Sequence, residues 1–426
     1  MYLDLYAEVM TVLIVFFGSI NIVRIGAFMI GSDIYAVIDA KKKKHFAKSH
    51  KALPLISVIV PAHNEEGTIE NCVKSVIANK YPKNKFEVIV INDGSTDRTV
   101  EILNNFCNAN PDSGIKVISQ TNAGKAHALN NAIANYSTGE IIMCLDADSS
   151  LDQHALRETA FYFNDERVMA VAANVKIRPQ NTLLNFMQQY EYLIGYQLKK
   201  ALTVFNIEYI VGGIGSAFRR SAIESVNYYD TDTITEDIDL TMKLLQNGGK
   251  NWRVIYGASV IAYTESVMDL KGLITQRYRW KFGRMQTFFK NRNLFFNTGK
   301  EHSRTLTWLY LPFVLYADIA FIFEPLLVTY LFYLVARYGD VVTLASSILV
   351  VCGYIMMNVL METTIPWKTR LKMALLSPSM YIFFYALNIV EYIVVIKGLL
   401  NVHKVKGSIK PGKCGWEHVA RAQISS

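Results

Sequence analysis

Cysteine is scarce in this sequence, and the few cysteines are not spaced for a metal site or a redox centre. The 426 residues contain five cysteines, at positions 72, 107, 144, 352 and 414. They form no Cys-x-x-Cys pair, which excludes the usual zinc and dithiol motifs. Cys72, Cys107 and Cys144 stand within apolar patterns, so we predict that they are small core residues. A reducing compartment is consistent with this pattern.

Two common ligand-binding patterns are also missing. The formal net charge is +8, but no array of interleaved basic and aromatic residues accompanies it, so nucleic acid is not expected as a partner. The segment at 122–125 (Asn-Ala-Gly-Lys) opens a predicted helix, where backbone N–H groups and Lys125 suit a phosphate. It is not a phosphate-loop ATPase motif, because the first glycine and the Ser/Thr after the lysine are absent. The positive charge instead suits a protein lying against anionic lipid headgroups.

A cleavable leader is not indicated, although the sequence opens on an apolar run. Residues 10–30 can cross a hydrocarbon layer of ~30 Å, which takes roughly 20 residues, and Arg24 lies near one end of that run. Asp4 and Glu8 precede the run, whereas a secretory leader needs a positive start. The lysines at 41–44 follow it. This pattern predicts a retained anchor, with residues 41–304 on the cytoplasmic side.

Between residues 55 and 270, buried strands alternate with amphipathic helices. Continuous apolar runs predict strands at 55–62, 86–91, 115–119 and 140–145. Apolar residues at helical spacing predict helices that begin near Asn64, Thr96 and Lys125, and a further helix follows Thr235. This alternation predicts an α/β fold with a doubly wound, mainly parallel sheet.

Polar clusters follow three of the predicted strands, at 63–65 (His-Asn-Glu), 92–95 (Asn-Asp-Gly-Ser) and 146–148 (Asp-Ala-Asp). Ligands bind at the carboxyl ends of the strands in such sheets, so we expect the three clusters to meet at one cleft. Asp146 and Asp148 point the same way because side chains alternate along a strand. Two like charges side by side need a cation, and hard oxygen ligands select Mg²⁺ or Mn²⁺. Such a metal would neutralise a diphosphate leaving group.

Each motif also has a plainer interpretation. Asp93 is typical of a helix start, and the acids at 146–148 could form an ordinary acidic loop. The segment at 235–237 (Thr-Glu-Asp) fits a helix cap followed by acids that favour the helix dipole, or an acid that acts as base on a sugar hydroxyl. The segment at 276–280 fits an interfacial helix with arginine and tryptophan at headgroup level.

Taken together, these motifs resemble those of the processive family 2 glycosyltransferases, which include the cellulose, chitin, hyaluronan and poly-N-acetylglucosamine synthases. The pattern of that group is D, DxD, (T)ED and QxxRW. Here it reads Asp93, Asp146-Ala147-Asp148, Thr235-Glu236-Asp237 and Gln276-Arg277-Tyr278-Arg279-Trp280. Each motif is weak alone, whereas four in this order are highly specific. The resemblance covers nearly the whole chain and implies a GT-A-like fold flanked by transmembrane and interfacial helices.

The resemblance also implies an inverting reaction, without a covalent enzyme intermediate, in which a UDP-sugar extends a growing polysaccharide at the lipid bilayer. Asp237 is implied as the catalytic base, with Glu236 beside it. The residues implied at the donor are Pro61, Asn64, Glu65, Asp93, Lys125 and Asp146. Those implied at the acceptor and the diphosphate are Gly213, Gln276, Arg279 and Trp280. The implied metal, Mg²⁺ or Mn²⁺, would be held by Asp148 and Asp146.

Within this group, the sequence around 144–148, the run at 229–237 and the overall length most resemble the bacterial synthases of the biofilm polysaccharide poly-β-1,6-N-acetylglucosamine. UDP-N-acetylglucosamine would then be the donor. One segment differs, since Lys281-Phe282-Gly283-Arg284 stands where biofilm synthases more often carry Ala-Gln-Gly-Gly. A hyaluronan, chitin or cellulose type of synthase, or a non-processive transferase to a lipid acceptor, stays open at this point. The need for a small membrane partner subunit also stays open.

The predicted domains are an anchor at 1–40, a basic juxtamembrane linker at 41–54, a cytoplasmic glycosyltransferase domain at 55–270, interfacial helices at 271–304, a transmembrane bundle at 305–400 and a basic tail at 401–426. Apolar runs at 306–336, 341–361 and 374–397 predict a multi-pass protein of the cell membrane. Three crossings would place the tail outside, whereas its basic residues favour the inside. A break near Glu324 and Pro325 would allow a re-entrant pair. Four acids are expected to line a polar path for the product or to bond between helices: Asp318, Glu324, Glu362 and Glu391.

Overall fold

The computed structural model describes residues 2–46, 52–248, 251–299, 303–339 and 341–410. The strands within these ranges are β1 Ile56–Ala62, β2 Phe86–Asp93, β3 Ile115–Gln120, β4 Ile141–Cys144, β5 Ser149–Leu151, β6 Val168–Ile177, β7 Ser216–Arg219 and β8 Arg253–Thr264. The α-helices are α1 Tyr2–Phe46, α2 Ile69–Ile77, α3 Thr99–Ala109, α4 Lys125–Asn131, α5 Ala155–Phe163, α6 Leu183–Phe205, α7 Arg220–Ser225, α8 Glu236–Asn247, α9 Leu270–Lys290, α10 Leu311–Ala320, α11 Glu324–Tyr338, α12 Val341–Met361, α13 Trp367–Leu400 and α14 Val402–Ser408.

The strands form one sheet in the order β3-β2-β1-β4-β7-β6-β8-β5. Strands β1 to β4 are mutually parallel, and so are β6 and β8. Strand β7 runs antiparallel to both of its neighbours, β4 and β6, and β5 runs antiparallel to β8. The predicted doubly wound, mainly parallel α/β sheet is therefore confirmed, with antiparallel pairs added in its second half.

Helices cover both faces of the sheet. Helices α2, α3 and α5 pack on one face, in a cluster that includes Val58, Cys72 and Leu103. Helices α4, α7 and α8 pack on the other, in a cluster that includes Ile59 and Cys144. Strands buried on both faces are continuously apolar because neither face meets water, which explains the runs seen in the sequence.

The buried face of α3 differs slightly from the predicted one. The helix begins at Thr99, three residues later than predicted, and buries Thr99, Leu103 and Phe106. Cys107 is only half-buried, so its predicted place in the core is wrong, whereas Cys72 and Cys144 are buried as predicted. The register shifts because the segment before Thr99 is held as a loop by the β1 connection, where Glu66 N donates to an Asp97 carboxylate oxygen.

The C-terminal half of the first helix packs against the α/β domain. The lysines at 41–44 lie inside α1, which ends at Phe46. Lys42 pairs with Asp165 at 3.5 Å, and Lys43 pairs with Glu158 at 3.1 Å. Further back, the Tyr35 hydroxyl donates to the Tyr256 carbonyl at 2.8 Å. These contacts attach the C-terminal half of α1 firmly to the α/β domain.

Four helical segments are long and apolar enough to cross a membrane, within Gly18–Phe46, Thr305–Phe323, Leu344–Met361 and Trp367–Leu400. Large apolar side chains on them face outward, among them Ile22 (72% exposed), Leu349 (74%) and Ile382 (71%). Exposed apolar surface of this extent is that of a membrane protein. The run at 306–336 is interrupted by a 3₁₀ turn at Phe321–Phe323, directly before Glu324 and Pro325, where the sequence predicted a break.

Three of the four acids expected along a polar path are paired with protein groups. Asp318 binds Lys281 at 3.0 Å and also Arg284. Glu391 binds Lys281 at 3.4 Å, and Glu362 accepts from Gln197 Nε2 at 2.9 Å. The expected bonding between helices describes Asp318 and Glu391, whereas Glu362 lies in the turn after α12; the polar path for the product stays a prediction. The side chain of Glu324 lies outside the described part of the structure.

Candidate active site

The polar clusters that follow β1, β2 and β4 lie together because these strands are adjacent in the sheet. His63 Nδ1 lies 2.8 Å from the Asp93 carbonyl oxygen. The Asn64 N–H donates to Ser95 Oγ at 3.0 Å, and Asn64 adopts the left-handed backbone conformation with φ of 56°. Asparagine tolerates this conformation better than most residues, which suits the sharp turn at the end of β1.

Asp93 shapes the loop that leads into α4. Its side chain is fully buried and accepts hydrogen bonds from the N–H groups of Ala123 at 3.0 Å and Gly124 at 2.8 Å. Gln120 Nε2 donates to the same carboxylate at 2.7 Å. Three donors hold this carboxylate rigidly. Asp93 therefore fixes the backbone of the loop directly before Lys125.

Lys125 lies at the centre of the acidic motifs. Its Nζ binds Asp146 Oδ1 at 2.7 Å and Glu236 Oε1 at 3.1 Å. Burial disfavours the ammonium, but the charges of Asp146, Glu236 and Asp237 outweigh it and raise the pKa of Lys125. One half-buried cation therefore joins the acid after β4 to Glu236 at the start of α8, with Asp237 as its neighbour.

Gly213 reaches the same point from the antiparallel half of the sheet. Because β7 pairs antiparallel with β4, with Ser216 opposite Cys144, the residues before β7 lie beside Asp146. A β-carbon at Gly213 would lie 2.8 Å from Lys125 Nζ. Only a residue without a side chain leaves the lysine in its present position.

The pKa of Asp237 is higher than that of an ordinary aspartate. Burial, followed by the neighbouring charge of Glu236, raises its pKa to about 6, although Lys125 acts in the opposite direction. The helix fixes the residue through Thr241, whose hydroxyl donates to the Asp237 carbonyl at 2.8 Å and accepts from Val211 N at 3.2 Å. The sequence analysis did not identify Thr241, and the only signal for it is the i, i+4 spacing. A carboxyl group with such a pKa is suited to exchange protons near neutral pH.

Asp148 lies close to Asp146 and Glu65, with the Cys72 thiol beneath them. Burial raises the pKa of Cys72, and the charges of Asp148, Asp146 and Glu65 raise it further. Carboxylate oxygens are the hard donors that Mg²⁺ and Mn²⁺ prefer. The residues of the DxD segment therefore fit a divalent cation that completes its coordination with phosphate oxygens.

A second acidic group occurs at Asp230, Asp232 and Asp239, whose carboxylate oxygens lie within 4.8 Å of one another. The sequence analysis did not predict it. Lys290 binds all three, at 2.7 Å to Asp232 and to Asp239, and Lys243 also binds Asp230 at 2.7 Å. Because the lysines already supply the positive charge, this group is an ion-pair network that connects α9 to α8.

The QxxRW segment lies on α9, which passes the start of α8. A β-carbon at Gly283 would lie 2.5 Å from Thr235 Cγ2, so the two helices touch there. Gln276, Arg279 and Trp280 precede Gly283 by whole turns and share its side of the helix. Gln276 is 4% exposed, and its Oε1 has no hydrogen-bond partner among the residues that the structure describes. A buried carbonyl without a donor is a feature that a bound hydroxyl group would satisfy.

Two further predicted site residues, Pro61 and Glu65, make contacts within the protein, as does Arg277, which lies inside the QxxRW segment. Pro61 is buried inside β1, opposite Ile91 of β2, so its ring belongs to the sheet. Glu65 binds Thr68 Oγ1 at 2.8 Å through its carboxylate. Arg277, between the motif residues, pairs with Glu191 at 2.6 Å and lies over the Trp280 ring at 4.7 Å from its centroid.

Comparisons with known proteins identify the class to which this fold and site belong. The family model for glycosyl transferase family 2 matches residues 57–226. A poly-β-1,6-N-acetyl-D-glucosamine synthase from Staphylococcus epidermidis is 30% identical over 306 residues, which are 67% of this chain and 70% of that protein. The chain therefore belongs to glycosyltransferase family 2, as the resemblance in the sequence indicated.

A relative of the same name from Staphylococcus aureus is 36% identical over 248 residues, which are 58% of this chain and 57% of the relative. The chain thus matches little more than half the length of that protein. Among solved structures, a mannosyltransferase from Pyrobaculum calidifontis, in complex with GDP-Man and Mn²⁺, has a TM-score of 0.53 at 20% identity. It covers 89% of this chain and 97% of its own, and it confirms the predicted GT-A-like fold.

Proposed function

We propose that this protein is a membrane-bound, inverting and processive glycosyltransferase that polymerises UDP-N-acetylglucosamine into poly-β-1,6-N-acetylglucosamine. The observation that carries the proposal is the contact of Lys125 with Asp146 and Glu236 beside Asp237, which brings the motifs of donor and acceptor chemistry to one point. The names of the Staphylococcus relatives support the choice of sugar and linkage.

Asp237 is the base in this proposal. It accepts the proton of the acceptor hydroxyl while the oxygen of that hydroxyl attacks the anomeric carbon, and the diphosphate leaves with its bonding electrons. A base with a pKa of about 6 is ionised at neutral pH and still basic enough to accept a proton in the transition state. A single displacement of this kind inverts the configuration at the anomeric carbon.

The donor lies over the ends of β1, β2 and β4. Asp93 holds the loop before Lys125, and this region contacts the nucleoside. The ammonium of Lys125 neutralises part of the diphosphate charge. Asn64 and Glu65 form the adjacent wall. Asp148 and Asp146 would hold Mg²⁺ or Mn²⁺, which would supply the remaining charge stabilisation for the leaving group.

The acceptor end of the polysaccharide lies against α9. Gln276 offers a buried carbonyl oxygen that no described residue binds. Arg279 and Trp280 follow on the same side of the helix, where an indole ring can stack on a sugar. Gly213 leaves the space beside Asp146 that the Lys125 ammonium occupies. Several contacts to the sugar chain, rather than one, would hold the product between successive additions.

The contacts between the catalytic domain and the apolar helices support a cytoplasmic catalytic domain. Lys42 and Lys43 bind this domain, and positively charged ends of membrane helices face the cytoplasm. The turn after α12 also meets the domain, where Glu362 binds Gln197, and so does α14, where Gln286 Nε2 donates to Ser408 Oγ at 2.9 Å. The contact of α14 with α9 favours a cytoplasmic C-terminal end.

The proposal is tested with membranes that contain the protein, Mg²⁺ or Mn²⁺, and a panel of labelled UDP-sugars, followed by product sizing and linkage analysis. We expect a long polymer from UDP-N-acetylglucosamine, with β-1,6 linkages, and its loss in Asp237→Asn. Lys404→Ala, which changes an exposed residue of α14, is the matched control and is expected to retain activity.

Other outcomes would correct the proposal at defined points. Polymer from a different UDP-sugar would support the proposed mechanism but contradict UDP-N-acetylglucosamine as the donor. Discrete products on a lipid would reject processivity and favour the non-processive transferase. Unchanged activity in Asp237→Asn would reject the assigned base.

A further inference from the structure

A cavity of about 270 Å³ lies between the C-terminal end of α9 and α14, away from the DxD segment. Its lining combines positive charge with apolar surface: Phe289, Lys290, Arg292, Asn293, Lys406 and Ile409. None of these residues has a role in the proposed reaction.

The positive charge of this cavity comes from two separate segments. Arg292 follows α9, Lys406 lies on α14, and both are exposed. Lys290 contributes its stem, because its ammonium already binds the carboxylates of Asp230, Asp232 and Asp239. Two cations on neighbouring segments repel one another unless an anion lies between them. An anion that contacts both side chains would offset this repulsion.

The other lining residues narrow the class of anion. The guanidinium of Arg292 lies over the Phe289 ring, 5.3 Å from its centroid, which directs its planar fork along the cavity wall. Guanidinium groups match the paired oxygens of a phosphate, and the Asn293 amide adds a donor. Phe289 and Ile409 supply apolar surface beside the charges, which suits a phosphate carried on an organic group.

We propose that this α9–α14 cavity binds a phosphate ester, such as an anionic phospholipid headgroup or a soluble organic phosphate. Arg292 and Lys406 bind the phosphate oxygens, Asn293 donates to it, and Phe289 and Ile409 contact the organic part. The cavity lies directly beyond α13, whose length and apolar composition suit a membrane, so headgroups would be available nearby.

A ligand bound in this cavity would affect the active site through the hydrogen bonds of Gln286. Its Nε2 donates to Ser408 Oγ of α14 at 2.9 Å, and its Oε1 accepts from Ile234 N at 3.0 Å. Ile234 directly precedes the Thr-Glu-Asp segment. A phosphate that joins Arg292 to Lys406 holds α14 against α9, and thereby retains the bond that positions the start of α8.

The test measures ligand binding by the purified full-length protein in neutral detergent, so it does not depend on the proposed reaction. The probes are short-chain phosphatidylglycerol, glycerol 3-phosphate and inorganic phosphate, with short-chain phosphatidylcholine as the neutral control. Binding is read from the rise in melting temperature with concentration, since a ligand of the native state stabilises it.

We expect phosphatidylglycerol to bind and phosphatidylcholine not to bind. Arg292→Ala and Lys406→Ala should each weaken binding about fivefold, as expected for the loss of one basic contact. Lys404→Ala removes an exposed charge from the same helix outside the cavity lining and should leave binding unchanged. All three variants should melt near the wild-type temperature without ligand, because Arg292 and Lys406 form no ion pair with a carboxylate of the described residues.

The probes also identify the source of the phosphate. Binding of phosphatidylglycerol alone would assign a lipid headgroup, whereas equal binding of glycerol 3-phosphate would assign a soluble phosphate ester. Three results would overturn the proposal: no stabilisation by any phosphate probe, equal stabilisation by phosphatidylcholine, or equal losses in Lys404→Ala and the two cavity variants.

Discussion

Gly283 of α9 lies directly against Thr235, the residue that precedes Glu236 and Asp237. A β-carbon at position 283 would lie 2.5 Å from Thr235 Cγ2 and 2.7 Å from its Oγ1, which is closer than packed atoms approach. Glycine at this position therefore lets α9 pass close to the start of α8. This contact adds to the bonds of Lys290 and Asn291 with Asp239, which also connect α9 to α8.

Gly283→Ala is expected to lower sugar transfer at least about tenfold, because a displaced α9 misplaces the acceptor relative to Asp237. Thr235→Ala in the same chain should restore part of the activity, since Thr235 makes no capping bond with its side chain and its removal makes room. Initial rates with saturating donor provide the measurement. Gly195→Ala, where a β-carbon meets no atom within 4 Å, is the control. A fully active Gly283→Ala enzyme would contradict the contact's importance.

The pH dependence of the rate reports the protonation of Asp237. Burial and Glu236 raise the pKa of this carboxyl to about 6. Only the ionised form accepts a proton, so the rate should increase with pH up to a plateau and fall about tenfold per pH unit below about 6. Asp237→Asn should lose roughly 10²–10⁴-fold at every pH. Asp269→Asn, an exposed acid at the start of α9, should keep the wild-type profile; a rate independent of pH between 5 and 8 would reject Asp237 as the base.

Much of the first half of the fold could be predicted from local patterns. Ile69, Cys72, Val73 and Val76 follow helical spacing and are buried on one side of α2. The strands that precede Asn64, Asp93 and Asp146 are continuous apolar runs, so their ends could be located. Adjacent parallel strands then bring these ends together by geometry alone.

The second half of the fold depends on contacts that no local pattern records. Strand β7 has four residues, too few for a clear period, yet its antiparallel pairing places Gly213 at the site. The acids Asp318, Glu362 and Glu391 are conspicuous in apolar segments, but their partners come from distant elements. Burying a charge is costly in any arrangement, so the sequence indicates that a partner is needed without indicating which one.

Lys125→Met tests whether one cation controls the acids around it. Without the ammonium, Asp146 and Glu236 lose their shared partner, and the influence that lowers the pKa of Asp237 disappears. The midpoint of the pH–rate profile should therefore move above about 6, and the KM for the donor should rise. Lys116→Met, which removes a surface ion pair with Glu87, is the matched control. An unchanged midpoint would show that Lys125 and Asp237 are not coupled.

Gly213→Ala and Gly212→Ala form a second matched pair. A β-carbon at Gly213 would lie 2.8 Å from Lys125 Nζ, whereas one at Gly212 would meet only Asp237 Oδ2, at 3.9 Å. We expect Gly213→Ala to displace the lysine and raise the donor KM about tenfold, as small misplacements in a catalytic site do. Gly212→Ala should stay within about twofold of wild type, since an ordinary contact displaces nothing. Steady-state kinetics with varied donor would reveal the difference, and equal effects of the two changes would refute it.

Lys290→Met should destabilise the fold by about 3 kcal/mol, because breaking a buried ion-pair network leaves charges uncompensated. Asp239 is fully buried and keeps only its hydrogen bond from Asn291 Nδ2, at 2.9 Å. Without Lys290 the pKa values of Asp230 and Asp239 rise, because its charge lowers both, so protonation at lower pH removes the repulsion. The stability difference from wild type should therefore be largest at neutral pH and shrink as the pH falls toward 5.

Thermal unfolding at several pH values measures this difference. Lys243→Met, which affects Asp230 alone among the three acids, should lower the stability less. A pH-independent difference would show that Lys290 stabilises the structure by packing rather than by its charge.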